Sequence, residues 1–523
     1  MEINRVFLIS LAICVPVGIW GVVSPDQMTR AAVGFTSFAI TAGDWWWLLL
    51  CTGFVILSGW LALGPYGKIK LGADDDEPEF SNASWIAMLF AGGMGSGLLF
   101  WGVAEPVTHF SAPPSMPGGT PEAAREAMVI TNLHWGFHAW SIYAVCAMVI
   151  GYFTFRLNRP SMISTPIRSL FPGRHSGGFA TAADVLGVVA VVFGLAGSLA
   201  MGALQVRSGL GSVFGVPSTN TASLVILAVL FVAYMLSATT GVDKGIRLLS
   251  NLNMIIALAI MIFVLIFGPT AFILESFVTT IGDYFSRFID MSFRMFPYRD
   301  NADWTVSWTL TYLIWWLAWG PFVGIFIARI SRGRTIREFC IGVILTPTLF
   351  SILWFATFGG SGIYIELFGG GGLSELIAQD LSVAMFAFFD SFPLSNMLSV
   401  LAVLLVFVFL VTSADSGTFV LSMMTTDGNL NPPIAHKLVW GILIAAITGA
   451  TLFAGSIEVA RAMAALGAIP FSVILVLQIV GFLRALRLER HGPPMGAAAH
   501  QRVRGRKAPT DGAVATGGME AAE

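Results

Sequence analysis

Apolar runs of about 18 to 25 residues recur along the whole chain, and each is long enough to cross the hydrocarbon core of a bilayer as a helix. Hydrophobic residues make up 56% of the 523 positions and charged residues only 11%. A soluble domain would carry about 25% charged residues. The pattern therefore predicts an all-α polytopic membrane protein. The net charge of −2 gives no indication of a nucleic-acid partner.

The apolar runs predict about twelve transmembrane helices, near residues 6–23, 44–63, 84–104, 131–155, 180–206, 220–241, 250–272, 305–328, 338–358, 395–414, 436–454 and 460–482. Between the seventh and eighth, residues 273–304 carry apolar side chains at helical spacing among charged ones. This spacing predicts an amphipathic helix along the membrane interface. Residues 485–523 are rich in Gly, Ala, Pro and Arg, which predicts a disordered tail that contacts anionic lipid.

The distribution of basic residues predicts the orientation. With the N-terminus inside, about three quarters of the 28 Lys and Arg residues fall on the cytoplasmic side. The positive-inside rule favours this arrangement. Both termini are therefore predicted to be cytoplasmic.

Two spans carry residues that disfavour a continuous helix. The third contains AGGMGSGLLFWGVAEP, in which Gly92, Gly93, Gly95 and Gly97 fall within six residues. Close packing by small residues is one interpretation. Unwinding is favoured, because each glycine costs a helix about 1 kcal/mol. The eighth span is predicted to be interrupted at Gly320-Pro321. Interrupted helices five spans apart are typical of inverted-repeat transporters.

The eighth span also carries a stripe of large aromatic side chains. Trp308, Tyr312, Trp315 and Trp319 are spaced i, i+4, i+7 and i+11, so they share one helix face, and Trp316 widens it. Core filling or a membrane-interface belt would also use such residues. Belts cluster at helix ends, whereas this stripe runs along most of the span. The stripe therefore favours an aromatic pocket.

Several motifs together resemble the betaine/choline/carnitine transporter family, in the same order and from about residue 6 to 485. They are GGMGSGLLFWGVAEP, HWGFHAWSIY, VFGLAGSLAMGALQ, WWLAWGPFVGIFIARISRGRTIREF and VTSADSGTFVLSMMT. The resemblance implies a LeuT-type core of two five-helix repeats, in residues 84–272 and 305–484. Two extra helices and a cytoplasmic loop would precede it in residues 1–83. It also implies a homotrimer in the bacterial inner membrane, with no enzymatic activity and no cofactor.

A quaternary ammonium group has no N–H to donate, and aromatic ring faces attract it through cation–π forces. The resemblance implies such a cage on the fourth and eighth spans, at Trp135, Trp140, Tyr143, Trp315, Trp316 and Trp319, and Phe326 would continue it toward the cytoplasm. A substrate carboxylate would meet backbone N–H groups of the unwound segment, at Gly93, Met94, Gly95 and Gly97. No buried anion is evident near this cage in the sequence.

The resemblance further implies sodium as the coupling ion, bound at Ala91, Met94, Phe409, Thr412 and Ser413. Hydroxyl hydrogen bonds within the helix are the alternative role for the Thr-Ser pair. A second sodium site of the family needs two threonines, and this chain has Val191 and Leu195 there. Coupling to one sodium ion is therefore expected. Proton coupling and sodium-independent exchange are the alternatives.

Intramembrane charges are candidates for gating. A pair between Arg329 and Asp415 would close the cytoplasmic side, although a solvated surface pair is an equal alternative, and Glu105 is a candidate on the outer side. His134 and His138 are spaced i, i+4, but without an evident third ligand we expect packing or hydrogen bonding rather than a metal. The sequence thus predicts a secondary transporter of a betaine-like solute. The candidate solutes are betaine, choline, carnitine, ectoine and dimethylsulfoniopropionate. A membrane sensor or channel is the less favoured class.

Overall fold

The computed structural model describes residues 4–93, 95, 97–171, 176–240, 243–298, 302–429, 431–454 and 457–491. Within these ranges the chain is almost entirely helical, and no β-strand is present beyond an isolated bridge between Lys70 and Thr335. This confirms the all-α class. The predicted tail from residue 492 onward lies outside the described residues.

The first half of the chain forms the following helices: α1 Arg5–Val23, α2 Pro25–Ala42, α3 Asp44–Leu63, α4 Asn82–Gly93, α5 Gly97–Ser111, α6 Pro121–Trp135, α7 Phe137–Gly151, α8 Ser176–Phe214, α9 Asn220–Thr240, α10 Asp243–Phe267 and α11 Thr270–Ser292. The second half forms α12 Ala302–Thr305, α13 Thr311–Ile330, α14 Ile336–Cys340, α15 Thr346–Phe355, α16 Ser361–Phe368, α17 Leu373–Gln379, α18 Ala384–Phe389, α19 Ser395–Met424, α20 Ile434–Phe453 and α21 Ile457–His491. Turns of π-helix join several of them, at Tyr152–Arg156, Val306–Leu310, Ile341–Leu345 and Ala356–Gly360.

Among the described residues, ten helical segments are long and apolar enough to cross a membrane. The two other predicted spans are the third, which is divided into α4 and α5, and the seventh, which is α10. A bend of 111° separates α10 from α11. The multi-pass membrane fold is therefore confirmed, whereas the count of twelve and the two five-helix repeats stay predictions.

The third span is broken as predicted, but the eighth is not. Helix α13 continues through Pro321, so the prediction of an interruption there was wrong. Gly320 and Gly324 face α7, where an added Cβ would lie 2.9 Å from the Sγ and 2.8 Å from the Cβ of Cys146. This close packing supports the helix although proline removes one of its hydrogen bonds. The irregular part of the span is the π-helical turn at Val306–Leu310.

Helix α2 was not predicted, because its sequence is too polar for a span. Its buried residues Met28, Ala32, Thr36 and Ile40 recur every four positions. Such spacing places them on one helix face. An added Cβ at Gly21 of α1 would lie 2.6 Å from the Met28 Sδ, so α2 folds back closely on α1.

The predicted amphipathic helix is present as α11. Ile273, Tyr284 and Met291 are buried on one side, and Val278 and Ile289 are exposed on the other. The Tyr284 hydroxyl oxygen accepts a hydrogen bond of 3.0 Å from the N–H of residue 137, the first residue of α7. Helix α11 thus supports the kink that separates α6 from α7. Its position along a membrane interface stays a prediction.

The C-terminal helix α21 continues to His491, beyond the predicted beginning of the tail at residue 485. Its Glu489 carboxylate forms an ion pair with Arg156 and accepts a hydrogen bond of 2.5 Å from the Tyr152 hydroxyl. The Arg156 guanidinium also lies 2.9 Å from the Asp74 carboxylate. These contacts hold the end of α21 against the end of α7, which explains why the helix extends further than its composition suggests.

Glu126 joins α6 to the segment around α11, and its removal should destabilise the fold. Its side chain is 1% exposed and contacts the guanidinium groups of Arg287 and Arg294. We expect Glu126→Gln to lower the free energy of unfolding by about 1–3 kcal/mol, because two partly buried cations lose their counter-charge. Thermal unfolding in detergent micelles measures this effect.

Arg125→Gln is the matched control for this test, since Arg125 pairs with Asp283 across the same two helices but is 62% exposed. Exposed pairs contribute about 0–1 kcal/mol. Equal losses of stability in both variants would contradict the assigned role of Glu126.

Candidate functional site

The break between α4 and α5 lies against the tryptophans of the fourth span. Gly95 has a φ of +52°, in the left-handed region that glycine adopts without a steric penalty. An added Cβ at Gly93 would lie 2.4 Å from the Cη2 atom of Trp140, and one at Gly97 would lie 2.9 Å from the Cη2 atom of Trp135. The glycines therefore end the helix and also make room for two indole rings on the backbone.

A cavity lies beside this break. Its walls come from α4, α5, α6, α7, α8 and α13 and from the break itself, and half of the lining residues are aromatic. The residues that line it are Gly93, Gly95, Gly97, Phe100, Trp101, Trp135, Tyr143, Ser198, Met201, Gly202, Gln205, Trp315, Trp316 and Trp319. The structure therefore brings together most of the residues predicted for the cage.

Trp316 is the central ring of the aromatic wall. Its ring centroid lies 5.0 Å from that of Trp135 and 5.5 Å from that of Tyr143, and both pairs meet edge to face. Trp315 is nearly parallel to Trp316 at 6.1 Å. Edge-to-face pairs of this kind are favourable because the positive edge of one ring meets the negative face of the other. The wall is thus held by its own ring contacts.

The indole N–H groups of the wall are bonded to the protein. Trp315 and Trp319 both donate to the Ser198 hydroxyl oxygen, at 3.1 and 3.0 Å. Trp316 donates to the carbonyl oxygen of His134 at 2.8 Å. These bonds fix the orientation of the rings, and they leave the ring faces as the chemical surface offered to a ligand.

Sequence reasoning missed Ser198, although it lies within the GLAGSLAMGALQ motif. Ser198 and Gln205 are seven residues apart on α8, so they share one helix face. Gln205 is 2% exposed, and its side-chain carbonyl oxygen has no hydrogen-bond partner among the described residues. A hydroxyl and an amide at this spacing in an apolar span were the available signal. They are the main polar side chains of the cavity wall.

A buried carboxyl group is bonded to the cage, so the expectation of a cage without a nearby anion was wrong. Glu105 is 0% exposed and accepts a hydrogen bond of 2.7 Å from the Trp135 indole N–H. Its other oxygen lies 2.6 Å from the Nδ1 atom of His134 and 3.4 Å from the Nε2 atom of His109. The i, i+4 spacing of Glu105 and His109 on α5 was the sequence signal. A gating role for Glu105 stays a prediction.

Two predicted cage residues are placed differently, and a third lies outside the described residues. Trp140 packs behind Gly93 and against Tyr143, with 5.9 Å between the two ring centroids, and it supports the wall from outside. Phe326 is half-buried on α13 and is not among the described residues that line the cavity. Met94 lies outside the described residues.

The aromatic stripe of the eighth span is divided between two sites. Trp308 and Tyr312 lie around the guanidinium of Arg461, whose Cζ atom is 5.0 and 5.8 Å from their ring centroids. Trp101, which also lines the cavity, lies 5.4 Å from the same Cζ atom. Arg461 in addition donates to the Ser307 carbonyl oxygen at 2.5 Å. The part of the stripe outside the cavity thus binds a cation of the protein itself.

The residues predicted to bind sodium lie at the break and on α19. Ala91 is in the last turn of α4, and Phe409 lines a smaller cavity together with Gly95. The Thr412 hydroxyl donates to the carbonyl oxygens of Val408 and Phe409, both at 3.1 Å, which is the alternative role considered for it. Ser413 is half-buried on the same helix. Sodium binding stays a prediction.

Hydrocarbon fills the space where a second sodium site of this kind would need oxygen. Val191 and Leu195 are buried on α8, with exposed fractions of 1% and 2%. An added Cβ at Gly417 of α19 would lie 2.1 Å from a Leu195 methyl carbon, so the two helices are in close contact there.

Arg329 forms an ion pair with Glu79 at 2.6 Å, whereas the prediction paired it with Asp415. The hydrogen bond from Arg329 is the main cause of the lowered pKa of Glu79. Both side chains are largely exposed, so the pair contributes little to stability. Asp415 is buried on α19. Glu79 lies in the loop before α4, and this loop is close to the end of α13, where Arg329 lies.

The model of the betaine/carnitine/choline family of transporters matches residues 5–491 of this chain. The chain belongs to this family. It is 42% identical to the glycine betaine transporter OpuD of Bacillus subtilis (strain 168), over 94% of this chain and 95% of that protein. It is also 42% identical to the ectoine/hydroxyectoine transporter of Virgibacillus pantothenticus, over 92% of this chain and 96% of that protein.

The high-affinity choline transport protein of Escherichia coli (strain K12) is 37% identical, over 85% of this chain and 66% of that protein. Membership of the betaine/carnitine/choline family makes the chain a multi-pass membrane transporter of solutes and not an enzyme. The aromatic cavity beside the α4–α5 break is the candidate site for that solute.

The glycines at the break are expected to be indispensable for the ring positions in this family member. Gly93→Ala and Gly97→Ala each place a methyl group where Trp140 or Trp135 now packs. We expect a loss of about 1–3 kcal/mol in the free energy of unfolding, because overpacking forces the ring or the backbone to move. Thermal unfolding and near-ultraviolet circular dichroism of the tryptophans measure both effects.

Gly53→Ala is the control for this test, since an added Cβ at Gly53 of α3 meets nothing within 4 Å. This variant should leave the tryptophan spectrum unchanged. An unaltered spectrum in all three variants would contradict the steric role of the two glycines.

Proposed function

We propose that this protein is a secondary active transporter that imports a betaine-like compatible solute through the aromatic cavity. The observation that carries the proposal is the wall of Trp135, Tyr143, Trp315, Trp316 and Trp319, whose aromatic side chains line one cavity. Relatives named as glycine betaine, ectoine/hydroxyectoine and choline transporters support the same class of solute. A quaternary ammonium group or a related zwitterion is the chemistry that such a cavity would take.

The cation would be held by the ring faces. A methylated ammonium ion spreads its charge over carbon atoms and cannot donate N–H hydrogen bonds, so a ring face can replace its water. The indole N–H groups already bond to Ser198 and to the His134 carbonyl, so the rings need no hydrogen bond from the solute. Arg461 among Trp101, Trp308 and Tyr312 is an example of the same interaction within the chain.

The carboxylate of a zwitterion would be bound at the polar side of the cavity. The Ser198 oxygen accepts two indole N–H groups, and its own O–H is available to donate to a solute. Gln205 adds an amide on the same face of α8. The backbone N–H groups at the beginning of α5, near Gly97, are a third source of donors. This arrangement favours a zwitterion over a simple cation.

Coupling to one sodium ion is proposed, with Ala91, Met94, Phe409, Thr412 and Ser413 as the ligands. The close contact of Leu195 with Gly417 supports the absence of a second ion. The first alternative is proton coupling, for which the buried cluster of Glu105, His109 and His134 is the specific observation. The second is sodium-independent exchange, as in a carnitine/betaine exchanger. We further propose the bacterial inner membrane, cytoplasmic termini and a homotrimer.

The cage can be tested through single rings. We expect Trp316→Leu and Trp319→Leu each to raise the KM for the solute roughly 5- to 30-fold, because a lost cation–ring contact costs about 1–2 kcal/mol. Uptake of radiolabelled glycine betaine, choline, carnitine and ectoine into proteoliposomes provides the measurement. Trp45→Leu is the control, since Trp45 is 58% exposed at the beginning of α3. An unchanged KM in both cage variants, at normal membrane levels, would refute the cage.

The coupling ion can be tested separately with imposed gradients. If one sodium ion is transported, uptake should rise with sodium at a Hill coefficient of about one, and Thr412→Ala with Ser413→Ala should greatly weaken this dependence because two oxygen ligands are lost. Ser422→Ala is the control, as its hydroxyl bonds within α19 to the Thr418 carbonyl oxygen. A sodium-to-solute flux ratio of two would contradict the single site. Uptake driven by a pH gradient without sodium would favour the proton alternative.

A further inference from the structure

Three titratable side chains form a cluster behind Trp135, on the side of its indole N–H. Glu105, His109 and His134 are all 0% exposed, and one ligand atom of each lies within 4.8 Å of the others. The cluster is bonded to the wall at one point, through the 2.7 Å hydrogen bond from the Trp135 indole N–H to Glu105. Trp135 therefore has the cavity on one side and a carboxyl group at its N–H.

The hydrogen bonds of the cluster leave one site for an additional proton. His134 is bonded at both ring nitrogens, to Glu105 at 2.6 Å and to the Thr309 hydroxyl at 2.9 Å. His109 makes no hydrogen bond through either ring nitrogen to the described residues, but its Nε2 atom is 3.4 Å from the same Glu105 oxygen. A proton on His109 would therefore face a carboxylate directly and neutralise its charge.

Charged and titratable groups approach this cluster from two other helices. Tyr312 of α13 stacks on the His134 ring at 4.8 Å, and its hydroxyl is buried. Arg461 of α21 is a cation that acts on His109 and Glu105, and Glu458 of the same helix acts on that arginine. The rings of Trp304 and Trp308 cover His109, at 5.4 and 4.6 Å. Arg461 is permanently charged, so any change of charge at the cluster must come from the two imidazoles or the carboxyl group.

We propose that the Glu105–His109–His134 cluster is a proton-binding site that sets the affinity of the aromatic cavity for a cationic solute group. Glu105 acts through Trp135 as a positioning and charge-balancing residue and does not touch the solute. With Glu105 ionised and both histidines neutral, the negative charge behind Trp135 attracts a cation at the ring faces. Proton uptake by His109 cancels that charge. Acid therefore weakens binding of the solute, and this inference rests on the proposed function.

The sign of the effect follows from the charges alone. A quaternary ammonium group keeps its charge at every pH, and the carboxylate of glycine betaine stays ionised near neutral pH, so only the protein titrates. Across one indole ring, a separation on the order of 8 to 10 Å, the loss of one unit charge changes affinity by at most roughly 15- to 35-fold at an effective dielectric constant of about 20. A response of about fivefold or more between pH 7.5 and pH 5.5 is therefore the expected result.

The test measures binding of glycine betaine and choline to the full-length protein in detergent, by quenching of tryptophan fluorescence, at fixed sodium concentration. Detergent removes any proton gradient, so the measurement reports affinity and not driving force. The wild-type Kd should rise about fivefold or more from pH 7.5 to pH 5.5. His109→Gln keeps the volume and a donor but cannot titrate. This variant should bind as the wild type does at pH 7.5 and show a flat pH profile.

Two further variants complete the test. His436→Gln replaces a buried histidine of α20 that packs on Phe7, and it should keep the full pH response. Glu105→Gln should bind weakly at both pH values, since the charge is absent throughout. If this variant fails to fold, the His109→Gln profile alone decides. Each titration is run with EDTA and repeated without it, because a carboxylate and two imidazoles also bind zinc.

The outcomes are distinct. A Kd that is independent of pH in the wild type, or a full pH response in His109→Gln, overturns the proposal while the proposed function stands. Tighter binding in acid also overturns it and indicates proton symport instead. A pH response seen only without EDTA overturns it in favour of a metal. Absence of binding of both solutes at pH 7.5 overturns the proposed function together with this inference.

Discussion

The contact between indole rings and a backbone without side chains is the constraint on which the site depends. Gly93 and Gly97 lie where α4 ends and α5 begins, and the rings of Trp140 and Trp135 occupy the space of their missing Cβ atoms. A larger residue at either position would move a ring or the helix break. The same glycines therefore determine where the third span opens and how closely the fourth span approaches it. The shape of the cavity follows from both.

Two charged side chains lie beside the aromatic residues, and the spacing of the aromatic stripe in the sequence does not predict either of them. Arg461 lies among the outer rings, and Glu105 lies behind Trp135. The cation–π attraction of a ring depends on the electrostatic field in which the ring sits, as well as on its own quadrupole. Both charges belong to helices next to the cavity, α21 and α5. The strength with which the rings would attract a cation therefore depends on where helix packing places these two charges, as well as on the tryptophans.

The sequence was sufficient for the class of fold and for most of the aromatic residues that line the cavity, because span length and aromatic spacing are local properties. It was not sufficient for features that depend on packing between distant segments. Pro321 suggested a break, but the contact of Gly320 with Cys146 supports a continuous helix. Ser198 was missed because its two indole donors come from another span. Similarly, Arg329 has a nearby acidic loop as its partner, which no helical periodicity indicates.

The bonds of the tryptophan N–H groups have a consequence for solutes of other kinds. Since Trp315 and Trp319 share the Ser198 oxygen and Trp316 is bonded to a backbone carbonyl, the wall offers hardly any hydrogen-bond acceptor to a positively charged ligand. An amino acid or a polyamine would lose water from several N–H groups, and the Gln205 carbonyl oxygen is the main acceptor left on the wall to replace it. Each N–H group left unpaired would cost several kcal/mol. Methylation removes that cost. If the proposed solute binds here, the wall would therefore select against primary amines through the cost of removing their water, without any steric barrier.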